Sequence, residues 1–448
     1  MDNRIYSVIE NKKRELDSRV LFALSMNEKG FSVGFGKKQN LYQYSNFIKK
    51  GLFLLKSIGP RNLKTILNLK KKGHQVSSWD EEGFVQFDEE FTRLRNDNNC
   101  LEEIDYLYTW GKDQKKNLSN YFPQFQKKII PTGHPRFDLL KKENRFFFEG
   151  DAKKIKDKYG KFILVTTKFP MGNSVSDNFR TKFKEAQLKS GIKNHFDRSD
   201  TIFQKKTMEL FIKTLNDLTE KCPDVKIVLR PHPGENILTW HKIFGGYKNI
   251  KVIQDQQNTC CWIMASQYLI STNCHTSIES YLLGKQSINF APIQNKDVEF
   301  DIFKKVSHSV ESSIELIEIV RNSLKNNYQL SLINVEEDLL LKNIANLKTN
   351  SLELMLETIN HSLKKINNTE DIKCSFFYFF VFKLLKKIKN FKNNFLADKE
   401  LMSLSKQKVD YITLEEIKEK VKKYEFKFDL KKVNVSEKYP GVFIFERK

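Results

Sequence analysis

Short apolar runs alternate with stretches of helical periodicity along the first 300 residues, a pattern that predicts parallel α/β sheets. RIYSVI (4–9) reads as a strand and ELDSRVLFALSMNEKG (15–30) as a helix ending near Gly30. FSVGFG (31–36) and GLFLLKSI (51–58) read as further strands, NLKTILNLKKKG (62–73) as a helix, and HQVSSW (74–79) as a fourth strand. YLYTWG (106–111) and IIPTGHPRFDLL (129–140) follow, and the charged stretch 141–161 reads as a linker between domains.

A second unit opens with the strand FILVTT (162–167) and a long polar loop. Met208, Phe211, Leu215 and Leu218 share one helical face ahead of the buried strand VKIVLR (225–230). IKVIQ, a short helix around Trp262, the strand YLIST, the helix TSIESYLLG and the strand QSINFA complete the alternation. The expected architecture is therefore α/β: two doubly wound, Rossmann-like domains facing a cleft, 1–150 and 151–330, plus a mainly helical C-terminal extension, 331–448. Within that extension Leu352, Met355, Leu356, Ile359 and Leu363 form a stripe behind Ser351, read as an N-cap. The segment 374–395 joins an aromatic run to Lys383, Lys386, Lys387, Lys389 and Lys392. It is too short in apolar residues to cross a bilayer; it either lies on an anionic membrane surface or docks as a helix with a solvated basic face.

Composition narrows the partners. The formal net charge is +22, from 77 Lys and Arg against 55 Asp and Glu, which predicts attraction to polyanions, lipid surfaces or phosphorylated substrates. The six cysteines form no C-x-x-C, so neither a disulfide scaffold nor a metal site is expected. The N-terminus lacks the apolar core of a secretory signal and no run reaches a membrane span, which places the chain in the cytoplasm, peripheral on the inner membrane face if the basic segment binds lipid.

Three constellations carry candidate chemistry. Asp80, Glu81, Glu82 and Gly83 sit at the C-terminal end of a predicted strand, either as a solvated turn or as a catalytic carboxylate at a cleft mouth. In LRPHPGEN (229–236) a strand ends at Arg230, and Pro231 and Pro233 hold His232 in an extended turn; the imidazole beside the arginine suits binding a phosphate, so Arg230 and Pro233 are expected with His232 on the nucleotide side. After YLIST, Thr276 and Ser277 are read as capping a helix whose first amides form a phosphate site, with Glu279 one turn in. Thr167, Gly172 and Asn173, in the loop after the second unit's first strand, are candidates for a donor pocket, and Asn273 for the nucleotide side. His134 and Arg136 are expected to serve the domain junction, Cys260 and Cys261 the core, and Trp110 with Gly111 a strand end.

The segments DEEG, TWG, TGHPRFD, RPHP and NCHTSIESYLLGK resemble, in order and spacing over residues 1–300, those of bacterial surface-carbohydrate biosynthesis glycosyltransferases with the two-domain GT-B fold. The acid-acid-glycine, His-Pro and Ser/Thr-pair elements are similar to those of bacterial sialyltransferases and Kdo transferases, which use CMP-activated sugars. The resemblance implies Glu81 or Glu82 as the catalytic carboxylate, His232 on the phosphate of the leaving CMP, Thr276 and Ser277 beside it, and Glu279 on the ribose. It also implies a nucleotide-sugar donor and a glycan or lipid-linked glycan acceptor; with no D-x-D motif in the sequence a metal-free site without cofactor is expected, and nucleic acid is not an expected partner. Two other readings stand beside it: a UDP-sugar epimerase or CDP-glycerol-type glycerophosphotransferase, and a non-catalytic basic protein binding nucleic acid or lipid.

Overall fold

A computed structural model of the chain describes residues 3–84, 92, 95–174, 198–296, 298–323, 330–331, 333–366 and 411–448. The aromatic and lysine-rich segment 374–395 lies outside the described residues. The chain divides into two compact units, Met1–Leu139 with Asp338–Lys448, and Leu140–Glu337.

In the first unit β1 (Arg4–Ile9), β2 (Ser32–Lys37), β3 (Leu52–Leu55), β4 (Gln75–Trp79), β5 (Leu107–Thr109) and β6 (Ile129–Pro131) are parallel, in the spatial order β2-β1-β3-β4-β5-β6. Short strands with both faces covered need continuous apolar residues, and all four residues of β3 are buried. The order reverses between β1 and β3, the topological switch point of this sheet. A core of Tyr6, Val8, Phe53, Leu55, Ile66 and Leu107, among others, fills one face.

The second unit has β7 (Ile163–Thr166), β8 (Ile227–Arg230), β9 (Ile250–Val252), β10 (Leu269–Ser271), β11 (Ser287–Phe290) and β12 (His308–Val310), all parallel and ordered β12-β11-β10-β7-β8-β9. Counted within the unit, this is the dinucleotide-fold order 3-2-1-4-5-6, with its switch point between β7 and β10. The helical stripe Met208, Phe211, Leu215 and Leu218 packs into this unit's core as its spacing predicts.

Three expectations differ from what is found. The stretch 141–161 is not a linker: Phe146–Tyr159 is a helix of the second unit that buries Phe147, Phe148, Ala152 and Ile155, and Tyr159 packs on Trp262 with ring centroids 5.3 Å apart. Its many lysines disguise a helix of which only one face is apolar. The described part of 338–448 is not a separate extension but joins the first unit. It contains helices and also β13 (Val433–Tyr439) and β14 (Val442–Arg447), an antiparallel pair that covers the edge of β2, with Phe443 opposite Phe35. Lastly, Ser351 is the first residue of helix Ser351–Lys364 and not its cap. The helix end is satisfied from elsewhere: Asp138 accepts from the Ser351 amide at 3.0 Å and from its hydroxyl at 2.5 Å. Asn346 Nδ2 also donates to Asp138, at 2.8 Å. Gly133 lies beside this junction at φ +69°, where a Cβ would stand 1.8 Å from Asn346 Oδ1, so that position of TGHPRFD tolerates no side chain. Among the described residues no helix is long and apolar enough to cross a membrane.

Candidate functional site

The acidic turn closes β4 in the first unit, and each of its carboxylates meets an arginine. Asp80 is bound by Arg95 and, at 3.0 Å, by Gln114 Nε2. Glu81 accepts from Arg19 at 2.6 Å and from His134 Nε2 at 3.1 Å. Glu82 pairs with Arg14 and Arg95, both at 3.3 Å. The like charges therefore persist side by side because cations from the helix Lys12–Glu28 and from Arg95 offset them. Gly83 lets the turn fold back so tightly that a Cβ there would lie 2.1 Å from Gln114 Nε2.

The three acids differ sharply in access. The side chains of Glu81 and Arg19 are both 0% exposed, and Arg19 lies over the face of Trp79 at 4.1 Å from the ring centroid. His134 is buried too, stacked on Trp110 at 4.5 Å. Its Nδ1 accepts the Arg136 amide at 3.2 Å, so the ring proton sits on Nε2 and is donated to Glu81. Burial opposes the charge on Glu81, but His134 and Arg19 outweigh it and hold the carboxyl well below the usual range. Burial also pushes His134 down to about 4, against the pull of Glu81. The Glu81 side chain is thus enclosed as the ion-pair partner of Arg19 and His134, with no surface open to a sugar hydroxyl in this structure. His134, expected at a domain junction, is its neighbour inside the first unit. Glu82 is the solvent-accessible member, with a side chain 49% exposed; against partial desolvation, Arg14 and Arg95 draw its carboxyl down to about 2.

In the second unit, three consecutive residues, the last of β7 and the two that follow it, reach the segments after β8 and β10. Thr166 Oγ1 shares a 3.0 Å hydrogen bond with Thr276 Oγ1. Thr167 Oγ1 donates to Glu235 at 2.8 Å, and Lys168 Nζ donates to the Asn273 carbonyl at 2.9 Å. This is the switch point of the sheet, where the dinucleotide fold gathers its ligand groups. The helix after β10 runs from His275 to Leu282 with Cys274 at its N-cap, one residue earlier than expected. Thr276 and Ser277 are thus in the first turn, and no side chain caps the helix. Ser277 is buried and bonded to Ser271 Oγ at 2.9 Å, leaving Thr276, half-buried, as the more accessible hydroxyl of the first turn. Glu279 is half-buried one turn further on.

His232 is exposed at the corner of a turn closed by the Glu235 amide donating to the His232 carbonyl at 2.9 Å, with Pro233 fixing the turn's second position. Its Nδ1 accepts the Gly234 amide at 3.0 Å, which leaves the ring proton on Nε2. Arg230, expected on a phosphate, is committed elsewhere: it is buried, donates to Asp255 at 2.7 Å and to Thr259 at 3.2 Å, and lies over Trp262. Asn173 also ties loops together, donating to the Asn236 carbonyl at 3.1 Å and accepting from Thr239 at 2.8 Å. The Gly172 amide donates to Gln204 at 3.3 Å. Asn273, in the left-handed region at φ 38°, spends its side chain on both backbone groups of Phe300, at 3.2 and 2.9 Å.

The expected site residues thus gather into two groups, the acidic turn in the first unit and Thr167, His232, Asn273 and Thr276 around the second unit's switch point. Unforeseen from sequence are Thr166, Lys168, Arg19 and Glu235. Arg19 had a signal, an arginine leading directly into the apolar run VLFAL of a helix, where burial requires a partner. Glu235 had none that separates it from a surface acid. Among the described residues no group of His, Cys, Asp and Glu is arranged to hold a metal ion.

No protein-family model matches the chain, and no curated protein does. Among solved structures it is similar to a UDP-GlcNAc 2-epimerase of Methanocaldococcus jannaschii in complex with UDP-GlcNAc and UDP: 14% identity, 81% of this chain and 100% of that one, TM-score 0.49. The wall teichoic acid polymerase TagF is similar at 13% identity over 81% of this chain and 90% of its own, with TM-score 0.48. A putative UDP-N-acetylglucosamine 2-epimerase of Listeria monocytogenes gives 12%, 83%, 100% and 0.49 in the same terms. At these identities the chemistry has to be read from the residues themselves.

Proposed function

We propose that the protein is a glycosyltransferase of surface-polysaccharide assembly that binds a nucleotide-activated sugar on its second unit. The observation carrying this is the switch point between β7 and β10, where Thr166 and Thr276 hydroxyls, the first turn of helix His275–Leu282 and Lys168 converge, with exposed His232 on the turn after β8. Backbone amides at a helix start, hydroxyls and an imidazole N–H together suit the phosphate of a departing nucleotide. With Nδ1 held by Gly234, His232 offers Nε2–H as a hydrogen-bond donor to that phosphate. With Arg230 spent on Asp255, this guanidinium is not on hand for a second phosphate, and our reading of the donor is therefore a CMP-linked sugar, including the acidic keto sugars. On the first unit Glu82, ionised and weakly basic, is the accessible carboxylate of the acidic turn.

Thermal-shift titration of the full chain with CMP, UDP, CDP and GDP tests this. CMP should stabilise it most, and T276V should remove the shift. Selection of UDP or CDP would redirect the assignment to an epimerase or a glycerophosphotransferase, and no shift with any of the four would sink it.

A further inference from the structure

Glu235 is 1% exposed, yet the groups around its carboxyl belong to three different segments. The Thr167 hydroxyl reaches both oxygens at 2.8 and 3.0 Å, and the Phe169 amide donates at 2.8 Å, both from the loop after β7. The amide of His232 donates at 3.3 Å from the turn after β8. Trp240 Nε1 donates at 2.9 Å from helix Ile237–Phe244. Thr167 Oγ1 additionally accepts the His232 amide at 3.4 Å, so hydroxyl and carboxylate hold that N–H together. Every one of these partners can donate, which suits an ionised carboxyl, an acceptor at both oxygens.

Burial nevertheless works against that charge and pushes the carboxyl up to about 7. Leucine would fill the same space but would leave the Thr167, Phe169, His232 and Trp240 donors without an acceptor. What the carboxylate provides, and an apolar side chain cannot, is a fixed acceptor for the backbone of His232. The imidazole itself is locked within the same four-residue turn, through the Gly234 amide on Nδ1. Orientation of the ring therefore follows from orientation of the turn, and the turn hangs on Glu235.

We propose that Glu235 is the positioning residue for His232, fixing through the backbone of the 232–235 turn the direction in which Nε2–H is presented. The proposal rests on the donor-phosphate role given to His232 above, and its test separates the two. The full chain is labelled with 15N-histidine, and the His232 ring signals, assigned with H232N, are compared in the wild type and E235Q. The wild type should show the Nε2–H tautomer and E235Q a signal averaged between tautomers. CMP affinity should fall about fivefold in E235Q, the worth of one misaligned hydrogen bond, and H232N/E235Q should bind no more weakly than H232N.

An unchanged His232 signal in E235Q overturns the proposal, as does an equal loss of CMP affinity with and without His232. If the wild type binds no CMP, the donor reading fails while the ring signals still decide on Glu235. Should E235Q not fold, T167V serves, because it removes the hydroxyl shared between the carboxyl and the His232 amide but keeps the acid. The same averaging of the ring signal is expected there, and a signal like the wild type's counts against the proposal.

Discussion

Replacing Glu81 by glutamine separates the two roles open to that residue. As a catalytic carboxylate it would be lost from activity with the fold untouched; as the partner of Arg19 it would be lost from stability. The geometry favours the second, since both side chains are 0% exposed and 2.6 Å apart. Unit charges about 4 Å apart at an effective dielectric near 20 attract by about 4 kcal/mol. Removing one partner of a buried pair costs about 3–5 kcal/mol, because the remaining charge is left in the interior. Two features lower the figure here. Arg19 keeps the face of Trp79 at 4.1 Å, and the nearby Glu15, whose carboxyl is raised by burial and by Glu81, is relieved of a like charge. The expected loss is therefore about 3 kcal/mol, or about 6–12 °C in melting temperature for a unit of this size. Urea and thermal unfolding measure it, and the double variant R19M/E81M should recover most of the loss, since apolar residues of similar volume tolerate the site. An E81Q protein that melts with the wild type while losing nucleotide-dependent transfer would refute the ion-pair reading and return Glu81 to the chemistry.

His134 is buried with its pKa at about 4, below the usual value near 6.5, so between these limits the unfolded chain binds a proton that the folded chain refuses. Its contribution is complete above pH 6.5 and falls by up to about 3 kcal/mol as the pH drops to 4. H134Q, which keeps a donor for Glu81, should lose correspondingly less between pH 7.5 and 4.5 in urea midpoints. D138A removes the acceptor for the Ser351 amide and hydroxyl and should cost about 1–2 kcal/mol. Hydrogen exchange should then rise first at the start of helix Ser351–Lys364.

The sheets were legible because their strands are short, apolar and bounded by turn residues, and period-2 or continuous burial is a local property of the chain. β1, β4, β8 and β11 fall where RIYSVI, HQVSSW, VKIVLR and QSINFA place them. What escaped were relations between distant positions. Nothing local in VFIFER says that it pairs with β2 some 400 residues earlier, or that its Glu446 will meet Arg4 near the start of the chain. The acidic turn misled for the same reason. Three adjacent carboxylates at a strand end look identical in sequence, while their fates depend on which arginine each one meets. Asp80 and Glu81 turn inward to Arg95 and Arg19, and only Glu82 keeps solvent. Arg230 and Glu235 make the complementary case. The arginine that sequence would place on a phosphate is held by Asp255, and an acid that sequence passes over anchors the histidine turn. A charged residue at the end of a buried strand thus signals only that some partner is required, and whether that partner is substrate or protein is decided by segments far away in the chain.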